Sequence, residues 1–376
     1  MMNRVIIKLI SLIFVAALIL FFGLMVFQPG KSNLIISPQN LIDEAVKENV
    51  AETQLLTKEF EPISLEKIFD QTVENVSDSE QIVLLVTGDV IPARSVNYQA
   101  TVRNDFLWPY RNIAETVKSA DITFINLETP LIPNCPITQV GMVFCGSDKH
   151  IEGLLLMGVD VASIANNHAG NAGVKGLGET IQLLEKNKIE VTGDVTAVFK
   201  KVKGVTFGFL GFNDISGGIT GIEAAQFERI KSSIEETRKN ADAVVVMFHW
   251  GAEYRAQPDS RQIELAHYTI DSGADLVASN HPHWVQPVEL YNGKVIMYAH
   301  GNTIFDQEWS EKTKQGVLGK YIFAGKELVD IEYIPIGLRN YGEAFIAEDL
   351  LKDSILKNLK LESENRAQNE NNSRHN

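Results

Sequence analysis

Residues 243–251 read AVVVMFHWG, a run of six apolar residues followed directly by His249, whose side chain can bind a metal ion or carry a proton. Continuous apolar runs of this length are typical of β-strands that are buried on both faces, as in parallel sheets. Five more such runs occur between residues 81 and 298, and each is followed by polar residues capable of chemistry. They are Ile82–Val86, Ile122–Ile125, Val159–Ala165, Leu276–Ala278 and Val295–Tyr298.

The segments between these runs have the spacing of helices. Apolar residues recur at i, i+3 and i+7 over residues 227–234 and again over residues 263–270, where Asp259 and Gly273 are candidate caps. Strands that alternate with helices predict an α/β fold. The polar residues that end the strands should then meet at one sheet edge, where open α/β sheets place their functional sites.

Seven polar residues at the predicted strand ends have the chemistry of metal ligands or proton carriers. They are Asp89, Glu128, Asn167, His168, His249, His281 and His283. A mixture of carboxylate, amide and imidazole suits borderline divalent ions such as Mn²⁺, Fe²⁺ or Zn²⁺ better than Ca²⁺, which prefers oxygen ligands alone. Seven candidates exceed the needs of one tetrahedral ion. We therefore expect two ions about 3.5–4 Å apart, bridged by one carboxylate and holding a hydroxide for attack on phosphorus or a carbonyl.

Each of these residues, taken alone, also has a purely structural explanation. Asp89 follows a glycine and is a candidate turn or N-cap residue, and Glu128 is a candidate solvated loop acid. A single histidine at a strand end is often only hydrogen-bonded. The sequence His281-Pro282-His283 is more specific, because imidazoles two residues apart in an extended segment point the same way. Three other histidines fit structural or tail positions: His150, His267 and His375. The role of His300 stays open.

The order Gly-Asp, Asn-Leu-Glu, Asn-Asn-His, His-Trp-Gly, His-Pro-His resembles the CapA family, the poly-γ-glutamate capsule synthesis proteins of the calcineurin-like metallophosphatase superfamily. The matching stretches span most of residues 81–310 in order. They are GDVIPAR (88–94), INLETPL (125–131), ANNHAGNAGVKGLGET (165–180), FHWGAEY (248–254), GADLVASNHPHWVQPVELYNGKVIMY (273–298) and GNTIFDQ (301–307). The resemblance implies a four-layer α/β/β/α sandwich with a two-metal site at one sheet edge.

The resemblance also implies a role for each candidate residue. The implied ligands are Asp89 and His283 for the first ion, Glu128 as the bridge, and Asn167, His249 and His281 for the second ion. His168 is implied to be the general acid that protonates the leaving group, and Arg94 to contact an anionic substrate. Two departures from the phosphatase pattern concern the ligands: Ile91 stands where a second first-ion ligand is usual, and Glu128, rather than Asn126, is taken as the bridge on chemical grounds.

The N-terminus has the pattern of a membrane anchor. Arg4 and Lys8 precede nineteen uncharged residues, Leu9–Phe27, which are enough to cross a hydrocarbon core of about 30 Å at about 1.5 Å per residue. No small-residue cleavage pattern follows, so an uncleaved signal anchor is favoured over a cleaved signal peptide. Because the positive residues come first, we expect a cytoplasmic N-terminus and an extracytoplasmic domain.

Four segments follow from these patterns. Residues 1–30 form the cytoplasmic end and transmembrane anchor, and residues 31–80, with eleven acidic and four basic residues, form an acidic, partly helical stalk. Residues 81–350 form the CapA-like metallophosphatase-fold domain. Residues 351–376 form a helical end and then a disordered tail, which begins near Ser363. The net charge of −14 opposes a nucleic acid as partner.

The chain has two cysteines, Cys135 and Cys145. An extracytoplasmic location permits a disulfide between them, and this short loop closure is worth about 2–3 kcal/mol in the chain-entropy model. Two free buried thiols are the alternative.

The sequence thus leads to one expected function and two alternatives. We expect a membrane-anchored, extracytoplasmic CapA-like protein that serves the synthesis or export of poly-γ-glutamate or a related anionic polymer, together with polymer synthetase subunits. The first alternative is an active metal-dependent hydrolase that cleaves a phosphoester or a polymer amide bond. The second is a non-catalytic scaffold subunit of a polymer synthetase.

Overall fold

The structure, a computed structural model, describes residues 62–70 and 81–374 with the exception of 143, 195 and 216–220, and it describes side chains as far as residue 370. The predicted membrane anchor, Leu9–Phe27, and most of the predicted stalk lie outside these residues. Among the helices that are described, none is both long enough and apolar enough to span a membrane.

The larger sheet has eight strands in the order β16-β15-β14-β1-β2-β5-β6, with β13 also paired to β1. Strands β1, β2, β5, β6 and β13 run parallel, whereas β14, β15 and β16 join as an antiparallel extension. The strands are β1 (Gln81–Val90), β2 (Ile122–Leu127), β5 (Val161–Ser163), β6 (Glu190–Thr192), β13 (Asn302–Ile304), β14 (Gln315–Ala324), β15 (Glu327–Arg339) and β16 (Glu343–Ile346).

The smaller sheet has six strands in the order β11-β12-β10-β9-β8-β7. Its four central strands are parallel, and the edge strands β7 and β11 are antiparallel to their neighbours. The strands are β7 (Val198–Val202), β8 (Val205–Asn213), β9 (Ala243–His249), β10 (Leu276–Ala278), β11 (Val288–Tyr291) and β12 (Lys294–Met297). A separate two-stranded ladder joins β3 (Leu131–Ile132) to β4 (Gly146–Ser147).

Eight helices complete the described part of the chain. They are α1 (Leu65–Asp70), α2 (Ser95–Arg103), α3 (Arg111–Lys118), α4 (Ile151–Leu156), α5 (Gly173–Lys186), α6 (Phe227–Thr237), α7 (Ser260–Asp271) and α8 (Asp349–Arg374). A capping box begins α7, in which the Asp259 carboxylate accepts from the Gln262 N–H and the Gln262 side chain accepts from the Asp259 N–H.

Three apolar cores divide the domain into four layers. The first core lies between the larger sheet and helices α2 to α5, the second between the two sheets, and the third between the smaller sheet and helices α6 and α7. Strand β9 shows why both faces are apolar: Val245 and Met247 enter the second core, whereas Val244 and Val246 enter the third. The predicted α/β class and helix–sheet–sheet–helix layering are confirmed. Each predicted strand or helix overlaps one of these elements, although Val159–Ala165 extends beyond β5 and Val295–Tyr298 beyond β12.

The C-terminal prediction was wrong in part. Helix α8 continues to Arg374 instead of giving way to a disordered tail near Ser363. Ser363 is fully buried and its hydroxyl accepts from the Val288 N–H of β11. Arg366 is also buried and binds Glu289. The segment was misjudged because its buried contacts are made by polar side chains, whose composition is that of a solvated tail.

Glu289 attaches α8 to the smaller sheet through a buried network. Its carboxylate accepts from Arg366 Nε (2.7 Å) and the Tyr298 hydroxyl (2.7 Å), and it lies 2.6 Å from His267 Nε2. Burial raises the pKa of Glu289, but the hydrogen bonds from His267 and Arg366 outweigh it and bring the pKa down to about 2. Helix α8 is therefore held by charge as well as by apolar contact.

The predicted stalk also contributes to the domain at its C-terminal end. Ile68 of α1 is buried in the core between the sheets, beside Ile355 and Leu359 of α8. The folded domain therefore includes residues 62–70, before the boundary at residue 81 that the sequence indicated.

Candidate metal centre

All seven predicted site residues lie at the carboxyl ends of parallel strands, and both sheets contribute. Asp89 lies near the end of β1, Glu128 directly after β2, and Asn167 and His168 after β5. From the smaller sheet, His249 ends β9, and His281 and His283 follow β10. The two sheets thus bring these side chains together at one edge, as parallel strands dictate.

Glu128 is the most unusual of these residues. Its side chain is fully buried, and neither carboxylate oxygen has a hydrogen-bond partner among the described residues. Burial and the neighbouring charge of Asp89 raise the pKa of Glu128 well above its ordinary value. A buried carboxylate without a donor is costly, and a bound cation would remove that cost.

One group of ligand atoms surrounds His249 Nε2. Asn167 Oδ1 lies 2.8 Å from it, His281 Nδ1 3.0 Å and Glu128 Oε1 3.3 Å. Burial and, to a smaller extent, the charge of His283 lower the pKa of His249 well below its ordinary value. Burial and the charge of His249 do the same for His281. Both imidazoles are therefore neutral near pH 7, which is the form that binds metals.

A second group surrounds His283 Nδ1. Asp89 Oδ2 lies 3.1 Å from it, and the Oδ1 of Asn302 lies 2.9 Å from it. Burial raises the pKa of Asp89, but hydrogen bonding to His283 and its charge outweigh burial, so the pKa is below its ordinary value. Asn302 was not among the predicted site residues, although it follows the apolar run Val295–Tyr298 just as the other candidates follow theirs.

Two more amides hold the carboxylates and loops in place. Asn126 Nδ2 donates to Asp89 Oδ1 (2.8 Å), and Asn126 Oδ1 accepts from Asn166 Nδ2 (3.1 Å). Asn166 Nδ2 also donates to the Leu127 carbonyl oxygen, and its Oδ1 accepts from the backbone of His168. Asn126 is thus occupied by its neighbours, whereas Glu128 is not, in keeping with the choice of Glu128 as the bridge.

The donor set fits divalent ions. Ligand atoms of Glu128, His249 and His281 lie within 4.8 Å of one another, and so do those of Asp89, Glu128 and His283. Glu128 is common to both groups, as a bridging ligand must be. Its oxygens are buried and have no hydrogen-bond partner among the described residues, so the clusters suit metal binding. The identity and number of the ions stay predictions.

His168 lies beside Glu128, with Nδ1 of its ring hydrogen-bonded to Asn171 and Nε2 facing Glu128. Asn171 Oδ1 accepts from the Phe144 N–H (2.7 Å) and lies 2.9 Å from His168 Nδ1, so Nδ1 must carry the hydrogen. Nε2 is 4.0 Å from Glu128 Oε1, and the ring stacks on Phe144 at 4.0 Å between centroids. Burial lowers the pKa of His168, against an opposing effect of the Asn171 hydrogen bond.

Arg94 lies at the same edge, but its guanidinium already has partners. It forms a buried ion pair with Asp306, donates to the Gly141 carbonyl oxygen (3.2 Å), and packs over the rings of Phe144 and Phe305. These contacts orient the loops around the site. The expected contact between Arg94 and an anionic substrate stays a prediction.

The His-Pro-His segment differs from its expected conformation. The two histidines were expected in an extended segment, but His281 has a φ of 102° and His283 a φ of 57°. Such angles are costly for residues with a Cβ and cluster at functional sites. The turn lets the His281 N–H approach Asp89 Oδ2 at 3.3 Å, while His281 Nδ1 faces His249 and His283 Nδ1 faces Asp89. The two rings thereby serve different groups of ligands.

The predicted disulfide between Cys135 and Cys145 is present, with 5.7 Å between the Cα atoms. It closes the loop that supplies Phe144 and the carbonyl of Gly141 to the site. The loop is therefore part of the wall around His168 and Arg94.

The remaining described histidines have structural contacts. His300 is buried, with Nδ1 3.0 Å from the Ser279 carbonyl oxygen and Nε2 3.1 Å from the Tyr321 hydroxyl. His150 is buried beside the Tyr110 hydroxyl. His267 of α7 lies 2.6 Å from the carboxylate of Glu289 on β11. The role of His300, which the sequence left open, is thus structural. His375 lies outside the described residues.

Comparisons with known proteins place these residues in a family. The PGA biosynthesis protein CapA of Bacillus subtilis (strain 168) is 35% identical over 287 residues, which cover 72% of this chain and 75% of that protein. The capsule biosynthesis protein CapA of Bacillus anthracis is 26% identical over 304 residues, covering 75% of this chain and 74% of that protein. A crystal structure described as a novel phosphatase from Mycoplasma pneumoniae is similar with a TM-score of 0.46 and 14% identity, covering 68% of this chain and 94% of that one.

The family described as bacterial capsule synthesis protein PGA_cap matches residues 83–307. That range contains every residue of the two ligand groups, from Asp89 to Asn302. The chain therefore belongs to the bacterial capsule synthesis protein PGA_cap family.

Proposed function

We propose that this protein is a membrane-anchored, extracytoplasmic accessory protein for the synthesis or export of poly-γ-glutamate or a related anionic cell-surface polymer, and that its site holds two divalent ions. The family match carries this proposal, because it runs through the whole site. The names of the two Bacillus relatives supply the polymer and capsule assignment. The expected partners are the polymer and the subunits of its synthetase.

Two features support the location. The uncharged run Leu9–Phe27, preceded by Arg4 and Lys8, has the length and charge order of a signal anchor. The disulfide between Cys135 and Cys145 is a bond that persists in oxidising compartments outside the cytoplasm.

The proposed ligands are Asp89, Glu128 and His283 for the first ion, and Glu128, Asn167, His249 and His281 for the second. Ions bound there would act as Lewis acids and lower the pKa of a bound water, which suits hydrolysis. His168 favours a hydrolytic role as a second candidate function. Its Nδ1 is held by Asn171, so Nε2 is the atom that can exchange a proton with a substrate near Glu128.

A scaffold role has one observation in its favour. The disulfide loop exposes three apolar side chains next to the site, with 57% of Ile137, 77% of Val140 and 64% of Met142 accessible. Residues 129–147, which include this loop, contain no charged residue, in a chain that is 22% charged. Such a surface suits contact with another protein subunit.

Complementation tests the proposal and separates its two forms. In a polymer-producing Bacillus host that lacks its own CapA, the wild-type protein should restore polymer secretion. Glu128→Gln should not. His168→Ala should abolish restoration if the site is catalytic and leave it intact if the protein is a scaffold, with the exposed Glu152→Gln on α4 as the control variant. Failure of the wild-type protein to restore any polymer, when it is present in the membrane fraction, would contradict the assignment.

A further inference from the structure

Asn302 lies opposite a proposed ligand on a neighbouring strand. It is the first residue of β13, where it pairs directly with Asp89 of β1, and the Asp89 N–H donates to the Gly301 carbonyl oxygen (2.9 Å). The strands can approach this closely because residue 88 is glycine, since a Cβ there would lie 2.2 Å from Gly301 O. Directly paired residues present their side chains on the same face of a sheet, so Asn302 is delivered to the Asp89 side chain by backbone pairing.

The orientation of the Asn302 amide is fixed by its surroundings. Its Nδ2 donates to the backbone carbonyl oxygen of Thr313 (2.9 Å) and to Gln307 Oε1 (3.3 Å). A backbone carbonyl can only accept, so the nitrogen must be the atom on that side. Oδ1 therefore faces the opposite way, into the site, where it lies 2.9 Å from His283 Nδ1. The side chain is completely buried.

The spacing of the three atoms is that of ligands around one ion. His283 Nδ1 is 3.1 Å from Asp89 Oδ2 and 2.9 Å from Asn302 Oδ1. Ligands about 2.0–2.2 Å from an ion and at right angles to one another are about 3 Å apart. Without an ion, His283 Nδ1 carries at most one hydrogen, and the oxygens of Asp89 and Asn302 would have to share it.

Without Asn302, the first group has three ligand residues, one fewer than the second. Ile91, two residues after Asp89, is buried against Ala93, Phe144 and Phe305, so the end of β1 supplies a single donor side chain. The second ion has an amide oxygen from Asn167 in addition to its imidazoles and Glu128. Asn302 would give the first ion the corresponding amide.

We propose that Asn302 Oδ1 is a direct ligand of the first ion, which makes the first site one of Asp89, Glu128, His283 and Asn302. This proposal rests on the two-ion site of the proposed function. The competing explanation is that Asn302 only accepts a hydrogen bond from His283 and affects an ion indirectly. Indirect partners also change metal affinity by about 10–100-fold, so affinity alone does not separate the two explanations.

The test compares metal-free full-length wild-type protein with Asn302→Ala, Asn302→Asp and Asn126→Ala. Asn126 is the control, because its amide contacts Asp89 from behind and is not a proposed ligand. Mn²⁺ titration calorimetry gives the stoichiometry and affinities, Co²⁺ absorption spectra report the ligands at each site, and thermal melting of the metal-free proteins reports folding.

We expect two ions in the wild type. Asn302→Ala should weaken one of the two sites at least tenfold, leave the other within threefold, and change the Co²⁺ spectrum of the weakened site. Asn302→Asp keeps an oxygen that faces the site but loses the Nδ2 donation to the Thr313 carbonyl oxygen, so it should still bind two ions. Asn126→Ala should alter affinity without changing the Co²⁺ spectrum.

Three results would overturn the assignment of Asn302. The first is an Asn302→Ala protein with wild-type affinities, and the second is one with weakened binding but an unchanged Co²⁺ spectrum. The third is loss of binding in a folded Asn302→Asp protein, which also decides the question if the alanine variant does not fold. A wild-type protein that binds no ion would instead remove the two-ion site of the proposed function.

Discussion

Replacing Glu128 with glutamine should have opposite effects on the metal-free and metal-loaded protein. Both oxygens of Glu128 are buried without a hydrogen-bond partner among the described residues, and Asp89 adds charge repulsion. Glutamine stays polar but removes the buried negative charge and its repulsion by Asp89. Taking the cost of an unsatisfied buried group, about 1–3 kcal/mol, as the scale of that effect, the metal-free variant should be as stable as the wild type or more stable. In a domain of this size, 1 kcal/mol changes Tm by about 2 °C, which gives a rise of up to about 6 °C.

The metal-loaded proteins should rank the other way. An ion present at a hundred times its Kd stabilises the folded state by about 2.7 kcal/mol, equivalent to about 5 °C in the wild type. Because Glu128 belongs to both ligand groups, Glu128→Gln should lose most of that rise. The crossing of the two rankings distinguishes a ligand from a structural carboxylate.

Calorimetric melting in EDTA and in Mn²⁺, with metal content measured by mass spectrometry, checks both halves. Glu152→Gln is the matched control, since Glu152 is exposed on α4 and undergoes the same change of charge. A metal-free Glu128→Gln protein that melts several degrees below the wild type would show that Glu128 has a structural partner. A full Mn²⁺ response in that variant would refute its role as a ligand.

Three further outcomes are expected from other parts of the structure. Leu359→Ala, in the core, should lower the free energy of unfolding in urea by about 2–5 kcal/mol. Leu361, which is 50% exposed, is the control, and Leu361→Ala should lower it by less than about 0.5 kcal/mol. Equal effects would contradict the packing of α8 against the domain. Because the pKa of Glu289 is about 2 in the folded protein and 4.5 in the unfolded chain, its ionised form stabilises the fold above pH 4.5 by up to about 3 kcal/mol. This stability should be lost as the pH falls from 4.5 towards 2, and Glu289→Gln should remove that pH dependence from unfolding curves. Reduction of Cys135–Cys145 should lower Tm without releasing bound ions, and ion release on reduction would contradict the ligand assignment.

The sequence predicted the elements and ligands whose chemistry is visible in residue type. Apolar runs such as that ending in His249 became strands buried on both faces, because few other structures bury six consecutive apolar residues. A carboxylate or imidazole within three residues of the end of such a run is a candidate ligand by residue type alone, as Glu128 and His281 are. Their grouping at one edge follows from parallel strands.

The features that were missed depend on tertiary contacts that residue type does not report. Asn302 follows an apolar run, but a lone amide is not distinctive, and strand pairing with Asp89 is what brings it to the site. Asn171 has no sequence signal and is placed by its contacts with Phe144 and His168. Ser363 and Arg366 are polar, so their burial in α8 depends on partners such as Glu289 that are far away in the chain. The left-handed backbone at His281 likewise has no local signal, since glycine is the residue that normally marks it.

The origin of the ligands has a mechanical consequence. Asn167 comes from the larger sheet and His249 from the smaller one, and the first group is divided in the same way between Asp89 and His283. Each bound ion would therefore link the two sheets at this edge, in addition to hydrogen bonds such as that from the His281 N–H to Asp89. Removing the ions should let the strand ends separate locally, so hydrogen exchange there should accelerate long before the rest of the domain opens.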